Sequence, residues 1–288
     1  MASAVVAERG ELTELNNSGR TSQEDQTATA AARTFWSGPI SRFVSESTDA
    51  GSFYQRRAAL VADLIAKHVP TGKVLDVGCG SGDLVLHLAR RSYPAHGVDL
   101  SREQIARAVT AAGMEALPAV PTFTVGDLET VDASKQFDAI CAIGVLPYIQ
   151  EQPAFLNALL ERVSARGVLV VSLTRARSLF TLVALWRHCL NFTPTRAWLR
   201  IAGNLARTGI WSGGFVERRN AARLTSAARL DAVMARRGTR RIDALALHNL
   251  AFLDRGAPRR NSLGGWLSGQ FAWCIILAYR RGDQNTCA

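Results

Sequence analysis

The feature that most constrains this chain is a buried-strand pattern that runs directly into three glycines at alternate positions. Residues 74–82 read Val-Leu-Asp-Val-Gly-Cys-Gly-Ser-Gly. Glycines at 78, 80 and 82 let the backbone turn sharply and approach a ligand without obstruction by side chains. In an open parallel sheet, ligands bind beyond the carboxyl ends of the strands. The segment therefore predicts a ligand-binding loop; a plain structural turn after a strand is the alternative.

Strand and helix patterns alternate around this loop. Apolar residues with helical spacing cover 53–68 and end at a Pro-Thr-Gly turn. Five strands are predicted at 73–77, 94–99, 121–125, 137–143 and 167–173. Helices are predicted at 83–91, after Ser101 and at 153–164, and Ser101 with Gln104 has the pattern of a capping box. Weaker patterns give a helix at 221–237 and strands at 241–247 and 270–279.

This alternation predicts an α/β fold with a doubly wound, mostly parallel sheet and helices on both faces. Residues 1–33 lack periodic apolar residues and are predicted to be a disordered tail. Residues 34–288 are expected to form a single domain. Within it, residues 174–220 are basic and aromatic without a strand pattern, and they are predicted to form a helical insertion after the fifth strand.

Acidic residues stand near successive strand ends. Asp99 ends the second strand, 23 positions after Asp76, where a carboxylate can accept both hydroxyls of a ribose. Asp127 follows the third strand, where it can take an adenine amino group. Asp138 opens the fourth strand and is expected below the same edge of the sheet. Together with the glycine loop, these positions indicate a nucleoside-containing ligand.

With these motifs the sequence resembles the class I S-adenosylmethionine-dependent methyltransferases, most closely the branch that acts on small molecules. Residues 74–82 look like that family's first motif, 97–101 its second, and 126–127 and 137–138 its third and fourth. The resemblance covers about residues 53–173. It implies a Rossmann-like seven-stranded sheet and S-adenosylmethionine as the cofactor. It also implies that 34–288 is one methyltransferase domain with a substrate cap at 174–220.

The resemblance assigns the cofactor contacts residue by residue. Backbone around Gly78 and Gly80 holds the methionine end of the cofactor, Asp76 orders its amino group, and Asp99 holds the ribose. Asp127 with Leu128 frames the adenine, and Ile143 or Gly144 lines the site. The full set of expected cofactor-binding residues is Asp76, Gly78, Cys79, Gly80, Gly82, Asp99, Leu100, Asp127, Leu128 and Ile143.

A nicotinamide or flavin dinucleotide is the main competing ligand. Dinucleotide sites use G-x-G-x-x-G, and this chain has Asp83 where the third glycine would stand. A carboxylate there would repel a pyrophosphate lying on the helix N-terminus. S-adenosylmethionine has no phosphate and carries a sulfonium and an ammonium cation, so the loop favours the methyl donor.

The residue that would act as general base stays open. An alcohol or phenol acceptor usually needs a base within reach, whereas an amine or soft carbon need not have one. Tyr148 beside the fourth strand, His188 in the insertion and His248 after the sixth strand are the candidates, while His68, His87 and His96 are expected to be structural. Tyr54 and Arg57, on the leading helix, would either cover the cofactor or lie on an ordinary helix surface. The five cysteines show no paired spacing, so no metal site is expected.

The positive charge of the chain indicates which partners it could attract. The net charge is +10, and residues 175–260 contain 17 arginines and four acids. Such a face attracts anionic headgroups, phosphates or acidic substrates. Two interpretations of residues 174–220 are open: a cap that packs on its own core, or interfacial helices that reach a lipid-linked acceptor. Methylation of nucleic acid and non-catalytic cofactor binding are the remaining alternatives.

The expected partner is a small-molecule or lipid-linked acceptor, with O-methylation favoured over N- or C-methylation. Neither a spanning helix nor a secretory signal is predicted from the sequence. The expected location is the cytoplasm, with the inner face of the membrane as an option, and the oligomeric state stays open.

Overall fold

The computed structural model of the protein describes residues 48–149, 151–174, 227–247 and 274–282. The predicted tail at 1–33 lies outside these ranges, as does the predicted cap apart from Thr174. The chain divides into two compact units: residues 1–143 with 158–169, and residues 144–157 with 170–288. Within the described ranges, no helix combines the length and the apolar character needed to cross a membrane.

The first unit begins with a long helix and continues as alternating strands and helices. The elements that it contains in full are α1 (Thr48–His68), β1 (Val74–Val77), α2 (Asp83–Ala89), β2 (Ala95–Asp99), α3 (Arg102–Gly113), β3 (Thr122–Val125) and β4 (Phe137–Ala142). One helix, α4 (Gln152–Glu161), and one strand, β5 (Val163–Thr174), extend through both units. The second unit adds α5 (Ala227–Ala235), β6 (Thr239–Leu247) and β7 (Cys274–Arg281).

The seven strands form one sheet in the order β3-β2-β1-β4-β5-β7-β6. β1 pairs in parallel with both β2 and β4, and all four of its residues are buried. A strand covered on both faces needs a continuous apolar run, which explains the Val-Leu-Asp-Val pattern apart from its aspartate. β6 and β7 are antiparallel. The predicted doubly wound, mostly parallel seven-stranded α/β fold is confirmed.

The crossovers bring the carboxyl ends of β1 and β2 side by side. Val77 lies beside Val98 in the parallel register, and the Gly78 N–H donates to the Val98 carbonyl at 2.7 Å. The start of the glycine loop is therefore still tied to the neighbouring strand. This edge of the sheet carries the loop after β1 and the last residue of β2, Asp99.

Four local predictions need correction. The capping box at α3 is half formed: Ser101 Oγ accepts from the Gln104 backbone N–H at 3.2 Å, but the Ser101 N–H donates to Asp99 Oδ1 instead of to Gln104. The helix predicted at 153–164 ends at Glu161. The fifth strand starts four residues before the predicted Gly167, at Val163. Pairing overrides the helical pattern there, because the Phe137 N–H donates to the Arg162 carbonyl and joins β4 to the chain entering β5.

The fourth correction concerns the edge of the sheet at which Asp138 lies. Its carboxylate accepts from the Lys73 N–H at 2.8 Å and from Ser164 Oγ at 3.1 Å. Asp138 is the second residue of β4, so it lies at the amino end of a strand that is parallel to β1. It ties together the chain entering β1 and the start of β5, and it belongs to the edge opposite the glycine loop. Asp138 is therefore a structural residue and not part of the predicted set at the carboxyl edge.

In the second unit, polar contacts of Asp231 join α5 to β6 and β7. Tyr279 on β7 is almost fully buried and donates its hydroxyl to Asp231 Oδ1 at 2.8 Å, while Arg241 contacts Asp231 Oδ2 at 3.0 Å. Burial, reinforced by the contact with Asp231, raises the pKa of Tyr279. The hydroxyl therefore stays protonated and fixes α5 to the β6–β7 pair.

Candidate active site

The glycine loop turns with left-handed backbone at each predicted glycine. The φ angles are +72° at Gly78, +54° at Gly80 and +83° at Gly82. A β-carbon at Gly82 would lie 2.9 Å from the Ala108 side chain, whereas one at Gly80 would meet no heavy atom within 4 Å. Gly82 thus permits close packing of the loop on α3. Gly80 faces open space, where backbone can approach a ligand.

Asp99 fixes this loop to the end of β2. Its Oδ2 accepts from the Gly80 N–H at 2.9 Å and its Oδ1 accepts from the Ser101 N–H at 2.8 Å. Burial raises the pKa of the Asp99 carboxyl, and the two backbone hydrogen bonds oppose that rise. The carboxylate is oriented before any ligand arrives, and each oxygen keeps lone-pair capacity for a further donor.

Asp76 is the unusual group of β1. It is only 4% exposed, and no described residue donates a hydrogen bond to its carboxylate. Burial raises the pKa of Asp76 to about 8, Arg57 opposes this, and the negative charges of Asp99 and Asp83 add to it. A cation bound beside Asp76 would stabilise the ionised carboxylate, so this position favours a positively charged ligand group.

A cleft opens beside Asp76 and the start of the glycine loop, and all of its lining residues belong to the first unit. Four of the predicted cofactor-binding residues line it: Asp76, Gly78, Cys79 and Ile143. The other lining residues are Tyr54, Arg57, Ala58, Val61, Asp83 and Leu84. The predicted loop and strand end are therefore brought together around one open space.

One face of α1 forms a wall of the cleft. Residues 54, 57, 58 and 61 share that face because they follow the i, i+3, i+4, i+7 spacing of a helix. The Arg57 guanidinium lies 4.8 Å from the centroid of the Tyr54 ring, within cation–π distance. From the sequence, two roles were open for Tyr54 and Arg57: covering the cofactor or lying on an ordinary helix surface. The periodicity identifies the face but not the partner it meets.

The predicted adenine contacts lie outside the residues that line this cleft. Asp127 is exposed, and its Oδ1 accepts from the Glu129 N–H at 3.0 Å, capping a short 3₁₀ turn at Leu128–Thr130. Leu128 is buried and Leu100 half-buried. Their roles toward adenine stay predictions.

The catalytic candidates are placed only in part. Tyr148 ends a 3₁₀ turn at Leu146–Tyr148 in the second unit, and its N–H donates to the Val145 carbonyl at 2.9 Å. His188 and His248 lie outside the described residues. The assignment of a general base to any of these three residues stays a prediction.

The comparisons with known proteins name the family. A family model described as a methyltransferase domain matches residues 51–238, more than half of the chain. The chain belongs to this methyltransferase domain family. The predicted resemblance to class I methyltransferases is confirmed.

Curated relatives of this methyltransferase match part of its length. The chain is 31% identical over 103 residues to ajmaline N-methyltransferase of Rauvolfia serpentina, covering 35% of each chain. It is 31% identical over 126 residues to the mitochondrial ubiquinone biosynthesis O-methyltransferase of Schizosaccharomyces pombe, covering 42% of this chain and 46% of that one. The chain thus spans less than half the length of these relatives.

Solved methyltransferase structures share the fold over most of the chain. Magnesium protoporphyrin IX methyltransferase from Synechocystis PCC 6803, crystallised with bound SAH, has a TM-score of 0.58 at 16% identity, covering 88% of this chain and all of that one. The plantazolicin methyltransferase BpumL in complex with SAH has a TM-score of 0.55 at 15% identity, covering 90% and 97%. The ligand named for these two proteins is the demethylated form of the predicted cofactor.

Proposed function

We propose that this methyltransferase transfers the methyl group of S-adenosylmethionine to a small-molecule or lipid-linked acceptor, with oxygen as the favoured acceptor atom. The observation that carries the cofactor assignment is the buried Asp76 carboxylate at the glycine loop, which lacks a hydrogen-bond donor among the described residues. A cationic ligand stabilises the ionised form of such a group and so binds it favourably.

The charged residues of the cleft fit the charges of S-adenosylmethionine. The cofactor brings an ammonium and a sulfonium, and Asp76 and Asp83 both line the cleft. Its amino-acid carboxylate would find a matching cation in Arg57, which lines the same cleft. The open space at Gly80 leaves room for the methionine portion beside the loop.

When bound, the cofactor supplies a methyl group on a positively charged sulfur, which is a good leaving group. The chain's own work is then orientation. The backbone of the glycine loop and Asp76 would hold the amino-acid end, and the pre-oriented Asp99 carboxylate would accept the ribose hydroxyls. With both ends fixed, the methyl is held in one position, and fixed positioning lowers the entropic cost of an in-line displacement.

The α1 wall would exclude water from the bound cofactor. Tyr54 and Arg57 stack on each other and line the cleft above β1. Burial raises the pKa of Tyr54, so its hydroxyl stays neutral and serves as a hydrogen-bond donor rather than as a base. A general base for an alcohol or phenol would come from Tyr148, His188 or His248.

Relatives support a small-molecule acceptor of more than one chemistry. Their names include an N-methyltransferase for ajmaline, O-methyltransferases of ubiquinone biosynthesis and a trans-aconitate 2-methyltransferase of Deinococcus radiodurans, which is 32% identical over 123 residues. Oxygen is favoured because the chain offers three candidate bases and because O-methyltransferases recur among the relatives.

Transfer of a labelled methyl group tests the acceptor class. Matched acceptors that differ only in bearing a phenol, a carboxylic acid or an amine on one aromatic ring would be incubated with the full chain and labelled S-adenosylmethionine. We expect methylation of an oxygen acceptor and loss of that activity in one of the variants Tyr148→Phe, His188→Gln or His248→Gln. Methylation of the amine alone would contradict the preference for oxygen.

Peripheral membrane association through residues 174–220, at the inner face of the membrane, is a further part of the proposal. It rests on the arginine excess of the surrounding sequence. Flotation with neutral and with anionic vesicles tests it, and recovery with anionic vesicles that falls as salt is raised is the expected result. Absence from both vesicle fractions at low salt would contradict it.

A further inference from the structure

Positive charge is concentrated in the second unit, around α5, β6 and β7. The described residues there, 227–247 and 274–282, contain seven arginines and two aspartates, an excess of five positive charges. Six of the arginines fall in two short runs, at 236–241 and 280–281. Charges of one sign repel one another, so crowding them costs stability unless an anion compensates them.

Strand pairing brings the two runs to one end of the β6–β7 pair. Arg240 on β6 lies directly opposite Arg280 on β7 in the antiparallel register, and Arg281 is the last residue of β7. The turn before β6 joins the same end, because the Gly282 N–H donates to the Gly238 carbonyl at 2.7 Å. Like charges directly opposite each other in a sheet are destabilising. The register therefore places these arginines together at a cost to the fold.

Two of the arginines have a role within the fold. Arg241 pairs with Asp231, and Arg237 donates to the Val233 carbonyl at 2.8 Å and to the Pro153 carbonyl at 3.1 Å. These contacts hold α5 against β6 and against the start of α4. Fold stability therefore explains these two side chains.

Arg236 and Arg240 are used differently. Both are exposed, and neither contacts a carboxylate of the described residues. Within the described part of the chain, the Arg236 side chain donates only to the Ala232 carbonyl, at 3.3 Å. Arg281 is exposed as well. Their charge is therefore presented outward.

Protection of a sheet edge accounts for part of this charge. β6 is an edge strand, and a charged side chain on an edge prevents pairing with other chains. That explains Arg240. It does not explain Arg280 and Arg281, because β7 lies between β5 and β6 and is not an edge.

We propose that Arg236, Arg240, Arg280 and Arg281, here called the arginine end, dock the second unit on the phosphate headgroups of an anionic membrane. Guanidinium groups match the geometry of phosphate oxygens, and an anionic leaflet attracts basic residues close to it. The inference goes beyond the proposed function, which places membrane contact in residues 174–220, and it does not depend on methyl transfer.

The arrangement of the arginine end favours a membrane over a nucleic acid. Successive residues of a strand point to opposite faces, so Arg280 and Arg281 extend on either side of the sheet. Charges spread in this way suit a broad anionic surface better than a strand lying in a groove. Proteins that bind single-stranded nucleic acid also use aromatic side chains for stacking. The described residues at 236–241 and 280–282 include no aromatic side chain.

Vesicle flotation of the full chain tests this surface. Binding over a lipid titration is compared for vesicles of phosphatidylcholine alone and of equal parts phosphatidylcholine and phosphatidylglycerol, at low and at raised salt. The test variant is Arg236→Gln with Arg240→Gln, which removes two exposed charges. The matched control is Lys67→Gln with Lys135→Gln, which removes two exposed charges of the first unit. Arg236→Lys with Arg240→Lys keeps the charge.

The wild-type chain should bind the mixed vesicles more tightly than phosphatidylcholine alone, and less tightly as salt screens the charges. The test variant should bind the mixed vesicles about 10- to 30-fold more weakly, because each arginine near an anionic surface is worth about a factor of five. The control and the charge-keeping variant should bind as the wild type does. All four proteins should bind S-adenosylhomocysteine equally, which shows that they are folded.

Equal losses in the test variant and in the control would mean general attraction of a basic chain and would overturn the inference. Unchanged vesicle binding in the test variant would also overturn it. Binding of poly(U) RNA that requires Arg236 and Arg240, without vesicle binding, would assign the surface to nucleic acid instead. If the test variant does not fold, Arg240→Gln alone provides the second arm, with an expected loss of about fivefold. Failure of the wild-type chain to bind S-adenosylhomocysteine would overturn the proposed function and leave this inference standing.

Discussion

The carboxylate of Asp99 accepts a hydrogen bond from the backbone N–H of Gly80, with Oδ2 and the nitrogen 2.9 Å apart. This contact joins the end of β2 to the middle of the glycine loop. One side chain therefore fixes the shape of the loop and keeps lone-pair capacity for a further donor. The same geometry makes Asp99 the most direct point at which to perturb the site.

Asp99→Ala is expected to weaken binding of S-adenosylmethionine by about 1–3 kcal/mol, the range for losing charge-assisted hydrogen bonds. The loop should also loosen, because the Gly80 and Ser101 N–H groups lose their acceptor. Isothermal calorimetry measures the affinity. Asp63→Ala, which removes a surface carboxylate paired with Arg91 at 2.7 Å, is the control and should bind as the wild type does. Unchanged affinity in Asp99→Ala would mean that the ribose site is misassigned.

Asp76 should make cofactor binding depend on pH. Burial holds the pKa of the free carboxyl at about 8, so below that pH the folded, unliganded protein keeps the group mostly protonated. A bound ammonium favours the carboxylate and lowers its pKa, so binding must release a proton. Affinity is therefore expected to rise with pH between about 6 and 8, by up to about tenfold per unit.

The variant Asp76→Asn identifies the group responsible. It removes the titrating carboxyl while keeping its size, so the slope between about pH 6 and 8 should disappear along with much of the affinity. The comparison is restricted to pH values below about 8. Above that pH the cofactor's own α-amino group, which titrates at about 8, would lose its positive charge. A slope that survives in Asp76→Asn would assign the titration to another residue.

Arg57 should set the affinity near neutral pH. Its positive charge lowers the pKa of Asp76 against the effect of burial. In Arg57→Met the pKa of the free Asp76 carboxyl is expected to be higher, because a close opposite charge lowers the pKa of an aspartate. Affinity at pH 7 should therefore be lower, and its rise of about tenfold per pH unit should continue undiminished up to about pH 8. Arg56→Met serves as the control, because Arg56 does not line the cleft. Equal pH profiles in the two variants would remove Arg57 from the site.

Two glycines of the loop should respond differently to alanine. At Gly82 the added β-carbon would lie 2.9 Å from Ala108 and the backbone has φ +83°, so Gly82→Ala should lower the free energy of unfolding by about 2–4 kcal/mol. At Gly80 the β-carbon meets no protein atom, so Gly80→Ala should lower that free energy by only about 1 kcal/mol. It should nevertheless impair cofactor binding, because the added methyl would occupy the open space beside the loop that we propose for the methionine portion. Chemical denaturation and calorimetry separate the two effects, and an equal loss of stability would contradict this account.

Local signals predicted the core of the fold. The four buried residues of β1, the glycines after it and the cap at Ser101 are consequences of short-range pattern, and the structure places each of them as expected. The β5 start was misjudged because pairing with β4 at Arg162 is a long-range contact that helical periodicity cannot reveal. The position of Asp138 was misjudged for a related reason. A motif gives the order of residues along the chain, but the edge of the sheet at which a residue lies depends on whether it begins or ends its strand.

Only part of the candidate site was predicted from the sequence. Asp76, Gly78, Cys79 and Ile143 line the cleft because strand ends of a parallel sheet meet at one edge. Tyr54 and Arg57 reach it from α1, whose contact with the loop is tertiary and leaves no mark in local spacing beyond a shared helix face. The half-formed capping box could not be foreseen, because the local pattern of Ser101 and Gln104 carries no information that Asp99 accepts from the Ser101 N–H.

Calorimetric titration of the full chain with S-adenosylmethionine and S-adenosylhomocysteine tests the central claim most directly. The account predicts one site per chain for both ligands, with the product bound tightly and with proton release at pH 7 that is absent in Asp76→Asn. Absence of binding by both compounds, together with binding of a nicotinamide dinucleotide, would contradict the assignment of this cleft to the methyl donor.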